Sequence, residues 1–185
     1  MIKFTFMKFD VLSFGFLSNT RQSMRGAMMR KRIISANTQL SFPPDQEWLD
    51  VKRLAQVELT SEDPAHPIES ALLPDSGSVW RASSPGEQTI RLLFDEPLRL
   101  TCIRLKFHEQ HYERTQEFTL RWSGDGGQSD QLLVRQQFNF SPPETTCEIE
   151  DYTVDLDGVT ELELRIVPDI QGSNIRASLA GLQLA

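Results

Sequence analysis

The sequence predicts an all-β domain, an antiparallel β-sandwich of jelly-roll type. Three observations predict it. Beyond Trp48 apolar and polar residues alternate with a period of two, turn-forming residues interrupt the alternation at short intervals, and no long stretch carries the 3.6-residue apolar repeat of an amphipathic helix. A period of two sends successive side chains to opposite faces of a strand, so each strand has one apolar face to bury and a second sheet is needed to cover it.

Taken in order, the elements read as follows. Ile68–Leu73 has the composition for one helical turn, and the preceding Asp63–Pro67 is too proline-rich to extend it backwards. Trp80 is expected to fill space between the sheets, with Trp48 and Trp122 in the core or half-buried. Ile90, Leu92 and Phe94 share one parity, and a further run holds Leu98, Leu100, Ile103, Leu105 and Phe107. The period repeats at Phe118, Leu120 and Trp122, at Val154 and Leu156, and at Leu162, Leu164 and Ile166. Breakers are expected to end strands at Pro85-Gly86, Glu96-Pro97, Gly124-Asp125-Gly126-Gly127, Pro142-Pro143 and Asp157-Gly158. The outward positions of Arg99, Lys106, Arg121 and Arg165 solvate a strand face and discourage edge-to-edge pairing. Glu148 and Glu150 read as a solvated strand face.

Composition narrows the function classes. The chain has 185 residues with 19 Lys+Arg against 26 Asp+Glu, a net charge of -7, and its 39% hydrophobic and 24% charged residues exclude wholesale disorder or a multi-spanning membrane protein. Seven Lys/Arg fall within residues 1–36 beside the single acid Asp10, so the rest of the chain is strongly acidic. Such a body repels a phosphate backbone, which argues against nucleic-acid binding by the folded part. Residues 1–36 read as a basic, disordered tail and residues 37–185 as the domain, with translation from Met24, Met28 or Met29 as an alternative account of the leader. The apolar run Val11–Leu17 contains Ser13 and Gly15 and falls far short of the about 20 residues of a membrane span. It also lacks a cleavage signature, which favours the cytoplasm. Cys102 and Cys147 are read as two small buried hydrophobes, not as a disulfide. No Gly-x-Ser-x-Gly elbow, His-Glu-x-x-His or phosphate-binding glycine loop is present, and the pairing of His108 with His111, even joined by His66, makes a poor zinc signature. The expectation is a binding domain, not an enzyme.

The order of the segments resembles the discoidin or coagulation-factor type C family. The similarity starts at Glu69-Ser70-Ala71-Leu72 and Ser78-Val79-Trp80-Arg81, continues through Gln88–Pro97 and Ile103–Phe107, and is most specific at Phe118–Gly127, which resembles a strand ending in Ser-x-Asp-Gly-Gly. Leu162–Ile166 and Ala177–Leu182 are similar to the last two strands, so the resemblance covers roughly residues 50–185. It implies a galactose-binding-like sandwich, a fold used by many carbohydrate-binding modules. It further implies a ligand loop at His108–Thr115, in which His108, His111 and Arg114 would donate to sugar hydroxyls, Glu109 would accept from them, and Tyr112 would cover the apolar face of the ring. Arg81, Asn139 and Phe140 are expected to approach from adjacent loops. Many members carry calcium in the loop before the tryptophan, where Asp75 and Ser78 are the candidate ligands. The final strand offers Ala180-Gly181-Leu182 where the family commonly supplies a glutamate, so no cofactor is expected and Asp75 is read as a turn residue. The partner expected is a carbohydrate or glycoconjugate. The alternative is a protein partner, because relatives of the same fold serve as interaction scaffolds.

Overall fold

A computed structural model describes residues 47–73, 77–124 and 130–185. The basic tail, Asp75 and the Asp125-Gly126-Gly127 turn lie outside the described residues. The elements are α1 (Val51–Leu54), β1 (Ala55–Leu59), α2 (Glu69–Leu72), β2 (Trp80–Pro85), β3 (Gln88–His108), β4 (Arg114–Ser123), β5 (Gln131–Phe140), β6 (Cys147–Val167), β7 (Arg176–Leu179) and β8 (Gly181–Leu184). The expected helical turn is α2, and every strand pairing is antiparallel.

Two strands of 21 residues, β3 and β6, organise the sandwich. The first half of β3 pairs with β1 and with the second half of β6, which in turn pairs with β4, and β4 with β5. The second half of β3 pairs with the first half of β6 and with β8. Between the halves the β3–β6 ladder is irregular, with Leu98 opposite Val159 as an isolated match between register shifts. Glu96-Pro97 and Asp157-Gly158 fall in this region, so neither ends a strand as expected. Pro97 lies where the ladder is interrupted and needs no amide hydrogen, and Gly158 takes a φ of 69° that other residues resist. Both strands bend at the same height and pass from one layer into the other. The inward parity of β3 changes accordingly, from Ile90, Leu92 and Phe94 to Ile103, Leu105 and Phe107, all buried. By contrast Pro85-Gly86 and Pro142-Pro143 do separate strands.

The layers meet around aromatic rings. Phe107, from the second half of β3, lies 5.3 Å from Phe118 of β4 and 5.3 Å from Phe138 of β5, measured between ring centroids. Trp80 is fully buried in the same core, while Trp48 and Trp122 are half-buried. A large ring on each facing strand contributes both apolar area and a defined inter-layer spacing.

Three sequence expectations are corrected by the structure. Arg99, Arg121 and Arg165 lie on β3, β4 and β6, strands that have a partner on each side over part of their length, and they pair with Asp155, Asp130 and Glu87 instead of guarding an edge. Lys106 likewise lies on β3, between β6 and β8. Glu148 and Glu150 do not solvate a free face. They stand opposite Phe107 and Leu105 in register and therefore point to the inner side of β6. There Glu150 accepts from the Gln136 side-chain amide of β5, and the Tyr152 hydroxyl lies within reach of both Gln136 Oε1 (2.9 Å) and Glu150 Oε2 (3.3 Å). Burial, then the neighbouring Glu148 carboxylate, push the Glu150 carboxyl up to about 7. Finally, only Cys102 is buried, its thiol pushed up to about 11 chiefly by that burial, whereas Cys147 is exposed at the start of β6, and both are free thiols.

Two measurements follow. An unfolded glutamate titrates near about 4.3, so the folded chain holds an extra proton at Glu150 from there up to about 7. Its contribution to stability is full below that window and is lost as pH rises through it. Glu150→Gln is expected to melt close to the unsubstituted chain at low pH and higher by about 2–4 °C on the alkaline side; an advantage that shrinks as pH rises would contradict the assignment. In maleimide labelling of the native chain, Cys147 is expected to react at once and Cys102 only after unfolding. Prompt labelling of both would refute the burial of Cys102.

Candidate functional site

The connection between β3 and β4 is five residues, 109–113, and its shape is set by one carboxylate. Glu109 anchors its backbone N–H on the Thr146 carbonyl (2.9 Å). Its Oε1 accepts the backbone N–H groups of His111 (2.9 Å) and Tyr112 (3.2 Å), and its Oε2 accepts Arg114 Nε at 3.0 Å. Arg114 has no exposed side-chain surface. It donates to Gln116 Oε1 (2.6 Å) and to the Pro168 carbonyl, and it lies over the Phe140 ring at 5.0 Å. Burial weakens the basicity of this guanidinium, and Glu109 opposes the effect. An ion pair removed from water in this way holds its geometry because both members have most of their hydrogen-bonding groups satisfied.

On this brace the loop presents its remaining side chains outward. His111 and Tyr112 are exposed, Tyr112 at 57% of its full surface, and their rings meet edge to face at 6.3 Å. They line an open groove of about 730 Å³ together with Arg81, His108 and Glu109. Five of the eight residues expected from sequence are thus brought together. The other three, Arg114, Asn139 and Phe140, line a separate hollow of about 460 Å³ with Thr115 and Asp169. Asn139 is exposed there and its Oδ1 accepts the Thr115 hydroxyl at 2.6 Å, while Phe140 is fully buried. Ser78 is exposed in the segment leading to β2 and borders the groove. Among the described residues, no three or more His, Cys, Asp or Glu are grouped to hold a metal ion.

Sequence reasoning missed His66, Asn174 and Arg176, which complete the groove. The segment before α2 runs beside β2: Arg81 donates its N–H to the His66 carbonyl (3.1 Å), and Asp63 donates to the Arg81 carbonyl (2.9 Å). On the other side Arg81 pairs in register with Ser178 of β7, which carries Arg176 into the groove. Asp63 ties the two sides, with Oδ2 3.6 Å from His66 Nδ1 and 3.5 Å from Arg176. The Ala65 backbone N–H, and after it the His66 and Arg176 side chains, hold its carboxyl below the usual range. No local pattern marks these positions, because they meet only through pairing between β2 and β7. His66, His108 and His111 are the three histidines of the whole chain, and all of them line this groove.

Glu109→Ala would strand the Arg114 charge in a dry environment and release the loop. It is expected to lower stability by about 3–5 kcal/mol in urea unfolding; an unchanged midpoint would show that the pair does not brace the loop.

No family model matches the chain, and no curated protein matches it. Solved structures do. The chain is similar to the family 32 carbohydrate-binding module of Clostridium perfringens NanJ in complex with galactose, at a TM-score of 0.56 and 14% identity over 74% of this chain and 96% of that one. It is similar to a family 32 module of Clostridium perfringens in complex with GalNAc-β-1,3-galactose, with a TM-score of 0.53, 15% identity and coverage of 75% and 99%. A third similarity is to the family 32 module of AlyQ in complex with 4,5-unsaturated mannuronic acid, with a TM-score of 0.55, 13% identity and coverage of 76% and 98%. The architecture expected from sequence is therefore the one present: the chain has the galactose-binding-like β-sandwich fold of family 32 carbohydrate-binding modules.

Proposed function

We propose that this chain is a non-catalytic domain that binds a carbohydrate or glycoconjugate in the groove beside Tyr112. The observation that carries the reading is the exposed Tyr112 ring, set on a loop braced by a buried ion pair and flanked by Arg81, His66, His108 and His111. A sugar presents an apolar ring face bordered by hydroxyls. An exposed aromatic ring can cover the face, and Arg and His donors can reach the hydroxyls. Because the loop is already ordered, less of the interaction energy is lost to arranging it on binding. The saccharides held by the similar modules, galactose, GalNAc-β-1,3-galactose and an unsaturated mannuronic acid, support the same class of ligand.

The alternative, a scaffold for protein partners, draws less support. Among the described residues the large apolar side chains left exposed are Leu54, Leu73, Tyr112, Leu132, Ile149 and Ile170, of which Leu73 and Ile149 share one hollow. A stable protein interface has a contiguous core of such residues.

Tyr112→Ala is expected to weaken saccharide binding at least about tenfold in titration calorimetry, the scale of losing one well-packed aromatic contact of about 1.4 kcal/mol, and to leave the melting temperature unchanged. Silence of the unsubstituted chain across a glycan array, or a variant that binds as tightly as its parent, would overturn the proposal.

A further inference from the structure

The charge of the groove is at odds with the charge of the chain. The whole sequence carries -7, yet the groove is lined by Arg81 and Arg176 and by every histidine present. Its carboxylates are already engaged: Glu109 is bound to Arg114 and two backbone amides, and Asp63, just behind the wall, lies between His66 and Arg176. Arg81 is exposed and, among the described residues, makes no ion pair. Two other hollows have the opposite character. That around Arg114 and Asn139 adds Glu113 and Asp169, and that around Arg91 and Arg121 is closed by Asp130, Glu161 and Glu163.

The groove also opens onto a second hollow, whose wall mixes apolar residues (Leu73, Val79, Ile149) with basic ones and holds no described carboxylate. Ser78, Val79 and His108 are shared with a neighbouring hollow of about 450 Å³ on the outer side of β3 and β8. Lys106 lines this second hollow, two residues before His108 on the same face of β3, exposed and without an ion pair among the described residues. Arg104, one step further, pairs with Asp151 at 2.6 Å. The result is a track that runs from Arg81 and Tyr112 through His108 to Lys106. It has two unengaged cations at its ends and no unengaged carboxylate along it among the described residues.

We propose that this track selects an acidic oligosaccharide, a chain of uronic acid residues, over a neutral one, with one sugar ring on Tyr112 and a carboxylate of a later ring at Lys106. The inference rests on the saccharide reading given above and narrows it. A planar carboxylate suits the guanidinium fork of Arg81, and Lys106 supplies a point charge. A negatively charged chain body repels anions at long range, so a local cationic strip creates selectivity for a ligand that reaches both cations at once. Exposed charges act through screened interactions, so the preference is salt-dependent.

Titration calorimetry of the full chain would compare α-1,4-linked tetragalacturonate with α-1,4-linked galactotetraose, which differ only in bearing a carboxylate or a hydroxymethyl group on each ring. The acidic tetramer is expected to bind at least about tenfold more tightly at about 20 mM salt, with the ratio falling severalfold at about 300 mM. In Lys106→Gln the ratio of the two affinities is expected to drop at least about threefold at the lower salt. Equal affinities, or a ratio insensitive to salt, would overturn acid selectivity while leaving saccharide binding intact. An acid preference undiminished in Lys106→Gln would overturn the extension of the track along β3. Silence toward both tetramers and across the array would remove this inference together with the reading on which it rests.

Discussion

The structure depends on two strands that bend together. If β3 or β6 alone changed layer, the ladder between them would be lost, and their backbone amides would have to be buried without partners. Because the irregularities around Leu98 and Val159 lie opposite each other, both chains change face within the same few residues and remain paired on either side. The other strands of this sheet are added to the frame, β1, β4 and β5 in one layer and β8 in the other, while β2 and β7 pair with each other apart from it. The aromatic contacts of Phe107 with Phe118 and Phe138 then set the spacing between layers.

The same frame makes the groove. β3 ends at His108, so the loop that follows emerges where the second layer meets the paired β2 and β7. Five residues could take many shapes, and the Glu109–Arg114 pair removes most of them. Charge placed inside serves to position side chains outside: the carboxylate accepts two backbone amides, and those amides fix His111 and Tyr112. A strongly acidic chain can thereby present a locally basic surface, since the one acid in the loop's base is consumed internally.

Much of this was legible in the sequence, for a physical reason. Alternation is a local property, and Ile90–Phe94, Phe118–Trp122 and Leu162–Ile166 are strands wherever their partners lie. The errors arose where the outcome is decided at a distance. Glu96-Pro97 and Asp157-Gly158 have the composition of strand ends, and only their position opposite each other lets the strands continue. Glu150 has the composition of a wet face, yet its register against Leu105 turns it inward. In the site, the polar and aromatic character of 108–114 was readable, but the division into braces and exposed contacts was not. Whether Arg114 points in or out is settled by the Pro168 carbonyl, 54 residues away. His66 and Arg176 meet through β2 and β7, whose pairing no local pattern announces.

The lateral closure by Gln136, Glu150 and Tyr152 gives the two flanks of the sandwich different characters. The flank at β8 is shut by leucines, Leu182 and Leu184, whereas the flank at β5 is shut by a carboxyl that gives up its proton near neutrality. Rising pH therefore places a charge on one side only, against Gln136 and Tyr152, and leaves the apolar contacts at β8 as they are. The described lining of the groove comes from β2, β7, the end of β3 and the segments beside them, with no residue of β5, so the ionising carboxyl sits behind the site and not in it.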